Sequence, residues 1–262
     1  MKKTQLDWYQ FQGILYHLHQ IVSRNFFAQV TGKKVLDIKA LTSYNIHLIR
    51  GDCMKVTLVW ITPEAMKVIA YCARVSNPAN QDNERTAPKL LKYLKKEAHF
   101  SPFEMASACI EIETTRDIAR QILRHRSFSF QEFSQRYADP TQALDFSTRE
   151  ARLQDPRNRQ NSIPADNDGL EIAWHAKQRE VIDVSTEAYK WAISMGIAKE
   201  QARAVLPEGN THSRLYMTGT LRSWMHFCDL RGGNGTQKEC SEIAVACKEI
   251  LCQNGGDVWG DS

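Results

Sequence analysis

No stretch of this 262-residue sequence approaches the roughly 18 consecutive apolar residues of a membrane-spanning helix. Its N-terminus has neither the compact apolar core nor the small-residue cleavage site of a secretory signal. The expectation is a cytoplasmic protein with no membrane partner. Blocks of like charge are absent too: 34 Lys and Arg are interspersed with 30 Asp and Glu, for a net charge of +4. So small an excess is weak support for a nucleic-acid partner, and it suits equally well an enzyme that gathers arginines around an anionic small molecule. Seven cysteines (Cys53, Cys72, Cys109, Cys228, Cys240, Cys247, Cys252) form no CxxC and no Cys/His pairing with zinc-ligand spacing, which excludes a recognisable structural metal site. Their odd number and apolar neighbours point to reduced, mostly buried thiols. There is no internal repeat and no low-complexity tract, and Gly232, Gly233 and Gly235 lack GxGxxG spacing and a preceding parallel strand, so a Rossmann reading falls away.

What is present is the composition of an ordinary folded enzyme, with 42% hydrophobic and 24% charged residues, in a chain long enough for one domain with an appendage. Residues 1–53 carry no sustained period, so either Met54 opens the folded domain, residues 54–262, or the leading segment is a helical appendage packed on it. From Met54 the signals sharpen. Val56, Leu58 and Trp60 alternate with Lys55, Thr57 and Val59 as a strand, and Thr62-Pro63-Glu64 offers an N-cap, an N1 proline and a first-turn acid for a helix. A second helix is expected over residues 88–98, a second strand around Ala108, Ile110 and Ile112, and a helix over 117–126 with Ile118, Ala119, Ile122 and Leu123 inward. Residues 141–168 read as a long loop, 170–195 as a long helix closed by Gly196, and 199–205 as a short one stopped by Pro207. Two further helices carry Trp224 and Phe227, then Ile243, Cys247, Ile250 and Leu251.

The densest polar cluster lies in residues 124–137, Arg-His-Arg-Ser-Phe-Ser-Phe-Gln-Glu-Phe-Ser-Gln-Arg-Tyr. A solvated helix end followed by an aromatic-anchored loop accounts for Arg124 and Arg126, because basic residues suit helix C-termini. It does not account for the Ser134-Gln135-Arg136-Tyr137 ending. Guanidinium forks and hydroxyls together are a phosphate-binding chemistry, for which Arg136 and Ser134 are candidates. Taken singly, Glu104 reads as a cap, His226 as a core histidine and Ser134 as a turn hydroxyl. Their joint spacing is what sets those readings aside.

This stretch closely resembles the signature of the flavin-dependent thymidylate synthases, Arg-His-Arg followed after seven residues by Ser and usually ending Ser-x-Arg-Tyr. Arg124, His125, Arg126, Ser134, Arg136 and Tyr137 stand at its positions. Ala73-Arg74-Val75-Ser76, His99 through Glu104, Arg203 through Pro207, and Leu221-Arg222-Ser223 through Arg231 accompany it at the expected distances. The resemblance implies an α+β fold, a small antiparallel sheet flanked by helices, assembled as a homotetramer. It implies FAD-dependent methylation of dUMP to dTMP, with methylenetetrahydrofolate as carbon donor and NADPH as reductant. FAD contacts would come from Ser76, Ser101, Glu104, Arg124, His125, Arg126, Glu132, Thr220, Leu221, Arg222 and His226. dUMP contacts would come from Gln121, Arg124, Glu132, Phe133, Ser134, Gln135, Arg136, Arg203 and Arg231. Arg231 matches the arginine that activates the pyrimidine, and His99 and Tyr137 match residues near flavin and nucleotide.

Activation by Arg231 would be electrostatic, stabilising negative charge on the ring without an enzyme nucleophile. Two departures stand out: Gln131 replaces the commoner asparagine, and residues 232–237 (Gly-Gly-Asn-Gly-Thr-Gln) replace an Asp-Ser-His-Ala-Gln-like stretch, leaving Gly235 without a side chain for FAD. They keep open a non-catalytic family member that binds flavin and nucleotide. A single-stranded nucleic-acid binder is the other alternative, because Phe128, Phe130, Phe133 and Tyr137 alternate with arginines.

Overall fold

The computed structural model describes residues 54–233, 235–256 and 259; the expected extension, residues 1–53, lies outside the described residues. The strands are β1 (Lys55–Ile61), β2 (Ser107–Thr115), β3 (Ser129–Glu132), β4 (Arg152–Gln154), β5 (Ser162–Pro164) and β6 (His212–Thr220). The helices are α1 (Ala65–Ala73), α2 (Ala87–Lys96), α3 (Arg116–Ile122), α4 (Pro140–Ala143), α5 (Asp168–Ser194), α6 (Lys199–Ala202), α7 (Leu221–Arg231) and α8 (Lys238–Gly255). The chain divides into two compact units, Met54–Tyr137 with His212–Ser262, and Ala138–Thr211.

In the first unit the sheet order is β1-β2-β6-β3, antiparallel at every pairing. Period-two alternation dictates its inward face. The register lines up Leu58, Ile110, Met217 and Phe130 in one row and Val56, Ile112 and Leu215 in the next. Over this face α1, α2, α3, α7 and α8 close one core containing Ile69, Leu91, Ile118, Trp224, Phe227, Ile243 and Leu251. The small antiparallel sheet with flanking helices is therefore present.

Several local expectations are corrected. A bulge between Leu58 and Trp60 breaks the alternation, and Trp60 is exposed. Thr62 caps no helix: its hydroxyl donates to the Ser107 oxygen at 3.2 Å and accepts from the Ser107 N–H at 2.9 Å, while Glu64 takes the cap position in the left-handed region at φ 51°. The helix expected to reach residue 126 stops at Ile122, so Arg124 and Arg126 lie in a turn. Strands β3 and β6 have no counterpart in the sequence reading. In β6 the inward positions run Ser213, Leu215, Met217, Gly219, a polar and a small residue that dilute the hydrophobic signal.

In the second unit the segment read as a loop contains α4, capped by the Asp139 carboxylate accepting from the Thr141 N–H at 2.8 Å, and the β4–β5 hairpin. Its backbone is tied to α5 by side chains: Ala151 N donates to Glu171 at 2.6 Å, and Arg149 and Gln178 exchange two hydrogen bonds of 2.8 Å. Helix α5 begins after Asn167, whose side-chain carbonyl oxygen accepts from the Leu170 N–H at 3.0 Å. It leaves Leu170, Trp174, Val181, Val184 and Trp191 exposed at spacings of three, four and seven residues. Among the described residues no helix is long and apolar enough to cross a membrane, and no three His, Cys, Asp or Glu are grouped to hold a metal.

Candidate active site

The signature segment is held by its aromatics. Phe128, buried, meets Trp224 edge-on at 4.8 Å and Phe227 at 6.1 Å between centroids. Its ring lies against Gly219, where a Cβ would come within 2.5 Å of a ring carbon; only glycine admits this approach. Beyond β3, Phe133 N donates to the Arg214 oxygen at 2.8 Å, and a turn closes with Tyr137 N on the Ser134 oxygen at 3.1 Å. Within that turn the Ser134 hydroxyl accepts from Arg136 N at 3.4 Å. Gln135 is 3% exposed, and its Nε2 has no hydrogen-bond partner among the described residues. An orphaned buried amide costs about 1–3 kcal/mol, which a ligand acceptor would recover.

At the N-terminal end of α7, Thr220 is the cap, its hydroxyl oxygen accepting from Ser223 N at 3.3 Å and its proton going to Glu104 at 2.6 Å. Arg222 donates to the other oxygen of Glu104 at 2.8 Å. The Thr220 hydroxyl foremost, and Arg222 after it, hold the Glu104 carboxyl below its ordinary range against a partial desolvation. Ser101 is exposed and opens the Ser101–Met105 turn that carries Glu104, and Ser76 is exposed beyond α1. Leu221 is buried, and its N–H is spent on the Ala106 oxygen at 2.8 Å.

At the C-terminal end of α7, Arg231 Nε donates to His125 Nε2 at 2.8 Å, and Nη2 to the main-chain oxygen of Gln121 at 3.3 Å. The His125 ring meets Phe227 edge-on at 4.9 Å. Burial, then the charges of Arg231 and His226, push the imidazole down to about 4, so it is neutral at ordinary pH. Gln121 Nε2 donates to Gln237 at 2.7 Å, so the departing stretch keeps a contact with the signature helix through its last residue. Within it, Gly235 adopts φ +90° with nothing near its missing Cβ.

The structure thus brings Glu104, Thr220 and Arg222 together at one end of a helix, and Gln121, His125 and Arg231 at the other. Glu132 is engaged within the fold: it accepts from the Ser213 hydroxyl at 2.7 Å and pairs with Arg116 at 3.6 Å. Arg124, Arg126 and Arg136 are exposed, as is His226, which excludes the core-histidine reading. Phe133 is half-buried. Arg203 lies in the other unit, on the Arg203–Val205 turn. His99 is exposed, edge-on to Tyr93. Of the aromatics offered for base stacking, Phe128 is buried and Phe130 and Phe133 half-buried, leaving Tyr137 widely exposed, which argues against a stacking platform. Cys109, Cys228, Cys240 and Cys247 are buried free thiols with pKa values raised by burial, unsuited to nucleophilic attack.

The sequence family described as thymidylate synthase complementing protein matches residues 57–254. A probable flavin-dependent thymidylate synthase of Paramecium bursaria Chlorella virus 1 is 48% identical over 187 residues, 71% of this chain and 85% of the relative. The chain belongs to the flavin-dependent thymidylate synthase family. A member from a Synechocystis species is 47% identical over 194 residues, covering 74% of this chain and 86% of its own. Among solved structures, a UMP/dUMP methylase PolB from Streptomyces cacaoi, bound with 5-Br UMP, superposes with a TM-score of 0.69 at 25% identity over 79% of this chain and 93% of that one. This is an enzyme fold of the flavin-dependent thymidylate synthase type. Two of its features escape sequence reasoning. Gly219 is signalled only by a glycine inside an alternating segment, and the contact of His125 with Arg231 spans 106 residues without a local signature.

Proposed function

We propose that this flavin-dependent thymidylate synthase family member methylates dUMP to dTMP on FAD, taking carbon from methylenetetrahydrofolate and electrons from NADPH. The observation that carries the reading is Arg231, a cation held beside the signature by a neutral histidine, so that its charge is not cancelled where it is fixed. Such a group stabilises negative charge developing on a pyrimidine without covalent attack. The donor set fits a dinucleotide cofactor and a nucleotide phosphate. Arg124 and Arg126 are exposed with no carboxylate paired to them among the described residues, and the Gln135 amide awaits an acceptor. Bound FAD would supply the hydride chemistry. This chain's residues would hold it through Arg222, His226 and the polar groups around Glu104, and would hold the dUMP phosphate through Ser134 and Arg136. The UMP/dUMP methylase activity of PolB supports a pyrimidine nucleotide as substrate, and the relatives' names support a flavin. The exposed apolar stripe of α5 supports a homotetramer, since a subunit contact would cover it.

The test is incubation of the purified protein with FAD, dUMP, methylenetetrahydrofolate and NADPH, followed by chromatography. The expected result is dTMP, with little formed when dUMP or the folate is omitted. Flavin binding without dTMP would replace this reading with the non-catalytic one.

A further inference from the structure

We infer that His125 is a positioning residue that acts through Arg231, an assignment resting on the reading of Arg231 as the group that activates the pyrimidine. A guanidinium carries five N–H donors and no acceptor, so in a contact with Arg231 Nε the His125 Nε2 must be the acceptor and its proton must sit on Nδ1. That contact and the one from Nη2 to the Gln121 oxygen together occupy the side edge of the planar fork. Two acceptors on one edge fix both the position of the plane and its rotation. Among the described residues nothing takes the Nη1 end, which is the edge left to a ligand. The acceptors are themselves rigid. His125 is braced edge-on by Phe227, one helical turn before Arg231, and Gln121 is pinned through its side chain to Gln237. A carboxylate in place of His125 would grip the guanidinium harder but would neutralise the charge the reaction uses. A neutral imidazole orients the cation and leaves the charge intact, and its depressed pKa accords with that state.

The decisive variants are His125→Phe, which keeps a ring against Phe227 but has no acceptor, and His125→Gln, which restores an acceptor oxygen. Both are to be assayed as FAD-loaded protein, with crystal structures to locate the Arg231 side chain. His125→Phe should lower kcat by on the order of tenfold to a hundredfold with KM for dUMP little changed, the signature of lost orientation. The Arg231 guanidinium should leave its place in that variant. His125→Gln should recover most of the rate and the guanidinium position. Adding His125→Phe to Arg231→Ala should cost nothing further. Equal damage from the two His125 variants, an additional loss in the double variant, or loss of FAD from both would overturn the assignment. A severe Arg231→Ala beside a normal His125→Phe would sink the positioning role alone. Near-normal turnover by Arg231→Ala would instead sink the underlying reading of Arg231, even with the contact intact in the crystal.

Discussion

At the N-terminal end of α7 an arginine, Arg222, meets a carboxylate at 2.8 Å; at the C-terminal end Arg231 meets a neutral imidazole at the same distance. Both ends suit the helix. The first-turn amides favour the anionic Glu104, and the last-turn carbonyls favour a cation, each by roughly 0.3–1 kcal/mol. The difference lies in the charge that remains. Glu104 balances the charge of Arg222 and is further held by Thr220, so that end is a charge-balanced polar cluster. His125 and the Gln121 oxygen carry no charge to offset Arg231, so among the described residues the other end is a fixed cation with no carboxylate paired to it. A paired arginine brings little net charge to a ligand, whereas an arginine oriented by neutral acceptors is poised for a charge that arrives with the substrate.

The comparison breaks most readily if the two arginines are removed in turn. Arg231→Ala should lower the single-turnover rate of reduced flavin with saturating dUMP by about a hundredfold to a thousandfold, roughly 3–4 kcal/mol of transition-state stabilisation. Arg222→Ala should cost no more than about 1 kcal/mol, because its side chain is 53% exposed and its ion pair is screened. Equal effects from the two would erase the distinction.

A substitution just ahead of α7 should disturb both ends. In Gly219→Ala the new methyl would stand 2.5 Å from the Phe128 ring, forcing that ring off Trp224 and Phe227. Overpacking of this kind costs about 1–3 kcal/mol. The expected outcome is a lower urea midpoint together with weaker flavin binding, since the Phe128 anchor of the signature turn is displaced. An unchanged midpoint would mean that the ring moves aside freely.

Much of the scaffold is legible in the sequence because burial there follows a local period. Ile110 and Ile112 alternate cleanly, and Leu91 with Leu94 marks one face of α2. The expectations that fail depend on partners distant in sequence. Thr62 is claimed by Ser107, Trp60 is turned outward by a bulge, and β6 hides its period behind Ser213 and Gly219. In the candidate site, the signature names the residues but not their partners. The Gly219 approach and the neutral state of His125 arise from packing between segments about a hundred residues apart, which no local pattern encodes.

The smallest effect, and the one that sharpens the comparison, is in pH. A free imidazole takes its proton near 6.5, whereas His125 in the fold takes it only near about 4. The unfolded chain therefore binds more protons between those values, and stability, full above 6.5, is lost as pH falls through that window. The Glu104 carboxyl is depressed from an ordinary value of 4.5, so its contribution is present above 4.5 and is lost only at more acid pH, as its carboxylate is protonated in the fold. The two ends of α7 thus weaken in different windows, the C-terminal end first. Urea midpoints across both windows should show His125→Gln losing less stability than the parent between pH 6.5 and 4.5, while Glu104→Gln follows the parent there and departs from it only below. Parallel curves for His125→Gln and the parent through the upper window would mean that His125 is not held neutral, and the contrast between the two ends would then rest on Glu104 alone.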